Sequence, residues 1–205
     1  MLLSRLDPES RKKVCALSTC CNQSGGVPVD IERLRTLAEP MINREIKMDV
    51  FEEPSKYHGM ILFHKDWFTF VIDPRDSPYQ QRFTFGHELG HVLYSYDISG
   101  EYPRLKNIKW SSMADWSEEK REKEEICDEI AMYLLCPFPE VVKLLRGFHQ
   151  LPYQPDLFRP NSPETTLLER MADYFEVPTA YFKGYLKQLK KSLWKKPEEG
   201  PLFGK

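Results

Sequence analysis

Phe83-Thr84-Phe85-Gly86-His87-Glu88-Leu89-Gly90-His91-Val92-Leu93-Tyr94 is the stretch from which the rest of this 205-residue chain is read. On a helix, residues four apart project from one face, so His87 and His91 can reach a single ion. Glu88 then stands about 100° round the helix and addresses a water on that ion. Phe83, Phe85, Leu89, Val92 and Leu93 supply the apolar positions of a buried helix, whereas an accidental match falls more often on a solvated surface. The expectation is a metal-binding helix beginning near Gln80 and ending near Tyr94.

Upstream, Glu9 to Cys21 has a helical pattern, broken by Asn22-Gln23-Ser24-Gly25-Gly26. Asp30 can cap a second helix, whose face of Ile31, Leu34, Leu37 and Ala38 is expected to stop at Pro40. The period then changes. Ile46-Lys47-Met48-Asp49-Val50 alternates, and Met60-Ile61-Leu62-Phe63 and Phe68-Thr69-Phe70-Val71-Ile72 are β-prone runs joined by a hairpin at His64-Lys65-Asp66-Trp67. A small antiparallel sheet of about three strands is expected before the signature helix.

Downstream, residues 97–117 form a long connection carrying Trp110 and Trp116, a candidate cover for the site. Ser117 opens a helix expected to reach Leu135 before Pro137, and a shorter helix follows from Glu140 to Leu145. After a Pro-containing link, Ser162 and Pro163 open a segment to Phe175, and Val177-Pro178 opens a last helix toward Trp194. The fold class is α+β and mainly helical. Residues 1–150 are read as the metal-site domain, 151–195 as a C-terminal helical subdomain packed on it, and 196–205 as a flexible tail.

Composition narrows the function classes. Hydrophobic residues at 41% and charged residues at 29% match a folded globular chain. Lys plus Arg (29) nearly balances Asp plus Glu (31), for a formal charge of −2, which argues against a surface devoted to phosphate backbones. No apolar run is long enough for a membrane span or signal peptide, so a cytoplasmic protein without a membrane partner is expected. Cys15, Cys20, Cys21, Cys127 and Cys136 form no C-x-x-C cluster and read as reduced thiols, not as a thiolate zinc site.

A catalytic zinc site normally has three protein ligands, so a third must be found. His58, His64 and His149 are candidates, each with an ordinary reading as a turn or surface residue. The stronger candidate is Glu124, which shares a helix face with Asp128. Glu124 can bind the ion through oxygen while Asp128 accepts the other ring N–H of a ligand histidine. Ile126, Ile130, Ala131, Leu134 and Leu135 follow directly, so these acids lie where charge meets core and need a partner. Glu125 is the fallback ligand. The donor that stabilises an oxyanion stays open among Tyr94, Tyr96, Tyr133 and a loop residue.

These residues resemble a known family across most of the chain. Pro28-Val29-Asp30-Ile31, Gly59-Met60-Ile61, the stretch from Gln81 to His91, and Glu124-x-x-Cys127-Asp128-x-x-Ala131-x-x-Leu134-Leu135-Cys136-Pro137 are together similar to the ImmA/IrrE-type metallopeptidases. The resemblance implies Zn2+ held by His87, His91 and Glu124, with Glu88 catalytic and Asp128 supporting a ligand histidine. Mn2+ or Fe2+ also suits two histidines and a carboxylate. It further implies site-specific cleavage of a helix-turn-helix repressor that controls phage, mobile-element or stress genes.

Glu169-Arg170-Met171-Ala172-Asp173-Tyr174-Phe175-Glu176-Val177-Pro178 resembles the helix-turn-helix-like segment found at this place in the family. Glu176 stands where DNA-reading versions carry a turn glycine, and Glu164, Glu169, Asp173 and Glu176 repel phosphates, which argues against direct nucleic-acid binding. Two functional readings remain: a zinc endopeptidase acting on a protein, or a non-proteolytic zinc-binding regulatory or toxin-like protein that binds a repressor or antitoxin. Glu88 separates them, because a structural site has no use for it.

Overall fold

Helix α1 (Pro8–Ser24) starts one residue before the expected Glu9 and runs three residues past Cys21. Asp7 Oδ1 accepts the backbone N–H groups of Glu9 and Ser10, both at 2.9 Å, and Pro8 takes the first helical position, where no N–H is needed. The computed structural model describes residues 3–24, 26–95, 117–149 and 163–193. The expected cover connection, the link before Pro163 and the tail lie outside the described residues.

Helix α2 (Ile31–Ile42) is capped by Asp30, which accepts from Glu32 N–H at 2.9 Å. It does not stop at Pro40. The ring removes one backbone bond, but the helix runs on to seat Ile42 in the core, and Asn43 closes it in the left-handed region at φ 52°.

Strands β1 (Glu45–Val50), β2 (Gly59–Phe63) and β3 (Trp67–Ile72) form a sheet in the order β1-β3-β2. The β2-β3 hairpin is antiparallel, with Ile61 opposite Phe70, but β1 pairs parallel to β3, with Ile46 opposite Phe68. The sheet is therefore mixed, not wholly antiparallel. The reason lies in the apolar content of β3: Phe68 to Ile72 are all buried, and a run of that kind takes the centre, leaving the mostly exposed β1 and shorter β2 at the edges.

The sheet packs Phe70 against Phe85 of α3 (Pro78–Ser95), with ring centroids 5.4 Å apart. Helix α4 (Glu118–Leu135) crosses the other side of α3 and starts at Ser117, whose hydroxyl accepts from Lys120 N–H. Helix α5 (Phe138–His149) follows and is longer at both ends than the pattern implied. The last pair, α6 (Pro163–Phe175) and α7 (Thr179–Leu193), is joined by a three-residue turn.

That turn holds Glu176 at φ 51°, a strained place for a residue with a side chain. Arg82 of α3 secures it, donating from Nε to the Glu176 carbonyl at 3.2 Å and from Nη2 to the Val29 carbonyl at 2.8 Å. Tyr181 stacks on Phe83 with centroids 3.7 Å apart, and the Tyr185 hydroxyl donates to the Cys136 carbonyl at 3.2 Å. The C-terminal hairpin is thus fastened to both α3 and the end of α4. Among the described residues no helix is long and apolar enough to cross a membrane.

Candidate metal centre

Helices α3 and α4 meet through their smallest residues. A Cβ on Gly90 would lie 3.1 Å from both Cα and the carbonyl oxygen of Cys127, and one on Gly86 would lie 3.2 Å from the Ala131 Cβ. Gly86 and Gly90 are four apart, as are Cys127 and Ala131, so two narrow faces lie against each other. Residue 86 meets 131 while residue 90 meets 127, so the helices run antiparallel. This contact carries the ligands, since His87 and His91 follow the two glycines and Glu124 and Asp128 flank Cys127.

His87 Nε2, His91 Nε2 and Glu124 Oε2 converge. The separations are 3.1 Å between the two histidine nitrogens, 3.1 Å from His87 to Glu124, and 3.5 Å from His91 to Glu124. Ligand bonds of about 2.0–2.1 Å in a tetrahedron place neighbouring donors about 3.3–3.4 Å apart, so the three atoms fit one small divalent cation. Among the described residues this is the trio of His, Cys, Asp or Glu whose ligand atoms all lie within 4.8 Å of one another.

The outer nitrogens are also held. Asp128 Oδ1 lies 2.7 Å from His87 Nδ1, the geometry that leaves Nε2 free to ligate. His91 Nδ1 faces Cys127 Sγ at 3.2 Å. Sequence reading took Cys127 as one of five reduced thiols. It is fully buried, but its sulfur also supports the second histidine, as a weaker partner than a carboxylate. The signal was available: Cys127 lies between Glu124 and Asp128 and must share their approach to α3.

Glu88 is the most enclosed acid here, 7% exposed. Its carboxylate is raised above its ordinary pKa by burial, against the opposing pull of His87 and His91. Burial opposes charge on His87 too, yet its hydrogen bonds with Asp128 and Glu124 prevail and push it up to about 10. Glu124 moves the other way: burial would raise it, but hydrogen bonds from His87 and His91 hold it well below the carboxylate range. Such mutual dependence suits donors arranged around a shared positive charge.

β2 approaches from the opposite side. A Cβ on Gly59 would lie 2.3 Å from Thr84 Cγ2 and 3.1 Å from Glu88 Oε1, so only glycine lets this edge strand pass so near the carboxylate.

The other candidates go elsewhere. Glu125 turns outward to Arg5, which also pairs with Glu129. His58 pairs with Asp76 at 2.8 Å, and His64 stacks on Trp67 and meets Thr69 Oγ1 at 3.2 Å. The Tyr133 hydroxyl faces Cys15 Sγ at 3.9 Å, on the α1 side, and Tyr94 packs on the core. Tyr96 and the side chain of His149 lie outside the described residues.

A His-Glu-x-x-His helix crossed by a helix carrying Glu and Asp four apart defines a metallopeptidase-like centre. The chain belongs to the peptidase M78 family, described as the IrrE N-terminal-like domain, whose family model matches residues 68–187. That span takes in both site helices and most of α7. No curated protein matches the chain. Among solved structures it is similar in fold to a Mycobacterium tuberculosis transcriptional regulator, with a TM-score of 0.52 and 13% sequence identity. The match covers 93% of this chain and 49% of that one, so the chain spans about half the length of that relative.

Proposed function

We propose that the protein is a metal-dependent, site-specific endopeptidase, with zinc in the His87, His91, Glu124 site and a helix-turn-helix repressor as substrate. The observation that carries this reading is Glu88: a buried carboxylate set between the ligand histidines, serving no ligand role and facing the edge of β2. A site that only braced the fold would gain nothing from such a charge.

A divalent cation in this site supplies Lewis acidity, polarising the scissile carbonyl and acidifying the attacking water. The chain's residues do the rest. Glu88 takes a proton from the water as oxygen adds to the carbonyl carbon, then delivers it to the leaving nitrogen as the C–N bond breaks. Burial, by raising Glu88, makes it the better carrier of that proton. Asp128 and Cys127 keep the two imidazoles oriented.

An extended peptide can add to the outer edge of β2, which has no partner strand among the described residues, and so pass Glu88 at Gly59. Direct nucleic-acid reading is disfavoured, because the Ala180–Gly184 side of α7 faces Glu125 and Glu129 across a cleft.

The test compares metal-loaded wild type with Glu88→Gln, each mixed with a candidate helix-turn-helix repressor taken from a neighbouring gene. Wild type should cut the repressor at one bond, and the variant should keep its metal and its partner but leave the repressor whole. Equal cleavage by both, or an intact repressor with loaded wild type, refutes the reading.

A further inference from the structure

Gly184 has no structural reason to be glycine. It sits inside α7, where glycine destabilises a helix relative to alanine, yet a Cβ there would have no neighbour within 4 Å. Gly59, Gly86 and Gly90 all differ, each having an atom within 3.2 Å of that position. Exposed Gly184, together with small Ala180 one turn earlier, lines an open cleft of about 170 Å³ between α7 and α4.

The walls of this cavity define what it takes. Met132 and Tyr185, each 2% exposed, make an apolar floor, and Tyr181 presents an aromatic wall. The α4 rim carries Glu125, Asp128 and Glu129. Arg5 partners Glu125 and Glu129 from the N-terminal side, and His87 partners Asp128, while none of the nine residues that line the cleft is basic. An anion is repelled here, and Gln188, the amide on the α7 side, adds no charge to offset the carboxylates. A cation on an apolar stem meets all three surfaces: floor for the stem, carboxylates for the charge, and an aromatic ring beside it.

Pockets for cofactors and drug-sized ligands run to about 300–1,000 Å³, so this one has the scale of a single side chain. Its position matters as well. Asp128 both lines the cavity and holds His87, which puts the pocket directly beside the metal centre.

We propose that the α4–α7 cleft, opened by Gly184, receives a lysine or arginine side chain of the protein on which the metal centre acts. The pocket selects substrates by a basic residue near the cut bond. The identity of the occupant rests on the endopeptidase reading; binding of a basic side chain does not require turnover.

The test uses the full-length Glu88→Gln protein and backbone amide NMR, titrated with N-acetyl-arginine methylamide and with its neutral isostere, N-acetyl-citrulline methylamide. The arginine compound should shift the amides of Gly184, Tyr185 and Asp128, and citrulline should bind at least about tenfold more weakly. Gly184→Leu fills the cavity and should abolish these shifts while the Gly184→Ala control still folds and shows them weakened. Glu129→Gln should weaken the arginine compound more than citrulline. Equal binding of the two compounds, unchanged binding in Gly184→Leu, or no shift with either compound overturns the pocket. If repressor cleavage fails while the arginine shifts persist, the endopeptidase reading falls and the basic-side-chain pocket stands.

Discussion

Replacing glycine by alanine at two helical positions should have opposite effects, with the sign set by what each new methyl group meets. At Gly184 the methyl meets nothing within 4 Å and removes the backbone freedom of a helix-interior glycine, a gain of about 0.5–1 kcal/mol. For a chain of this size that raises Tm by roughly 1–4 °C. At Gly90 the same helix gain is present, but the methyl would lie 3.1 Å from the Cys127 backbone, which cannot rotate away. Overpacking of that kind costs about 1–3 kcal/mol, so the net change is a loss of up to about 2.5 kcal/mol.

The larger consequence falls on the site. To admit the methyl, α3 and α4 must separate by a few tenths of an ångström, and donors now 3.1–3.5 Å apart across that seam separate with them. Zinc affinity should fall by about tenfold or more, as when the supports of a ligand are disturbed. Thermal unfolding followed by circular dichroism reads the first effect, and competition with a chromophoric chelator the second. If Gly90→Ala is stabilised like Gly184→Ala and binds zinc as tightly as wild type, the close-contact argument fails.

Asp128→Ala should weaken zinc by about 10–100-fold with helix content retained, measured by the same competition; unchanged affinity would remove Asp128 from its supporting role. Zinc at a hundred times its Kd should stabilise the fold by about 2.7 kcal/mol, an effect reversed by chelator and missing from a His87→Ala, His91→Ala double variant in differential scanning calorimetry. Asp7→Ala should cost about 1 kcal/mol at neutral pH through loss of the α1 cap. Hydrogen bonds from Ser10 hold Asp7 below its ordinary value of 3.8, so this stability is present above 3.8 and is lost as pH falls through the lowered folded value. Urea midpoints of wild type and Asp7→Ala should therefore differ at pH 7 and converge in strong acid; a constant gap would contradict the cap.

Local chemistry was readable wherever it acts over a few residues. Asp30 and Ser117 cap the helices they were expected to cap, and the β2-β3 hairpin turns where expected, because such bonds form within one turn of chain. Pro40 misled because a breaker's cost was weighed without the burial of Ile42 that offsets it. The direction of β1 was hidden for a related reason: alternation marks a strand but carries no sign of whether its neighbour runs parallel.

The metal ligands divide the same way. His87, Glu88 and His91 belong to one helix, and 3.6 residues per turn is enough to put the histidines together from the sequence alone. Glu124 was preferred over Glu125 in the sequence because it shares a helix face with Asp128, and the fold turns it toward the histidines and gives Glu125 to Arg5. Cys127 gained its contact with His91, and Gly184 its open cavity, from the packing of helices distant in sequence. The sequence by itself determined the chemistry of the α3 face, since a helix repeats that face over short range. Tertiary structure decided how closely that acid approaches the histidines and which space opens beside them, because the rotation and separation of packed helices depend on side chains far apart along the chain.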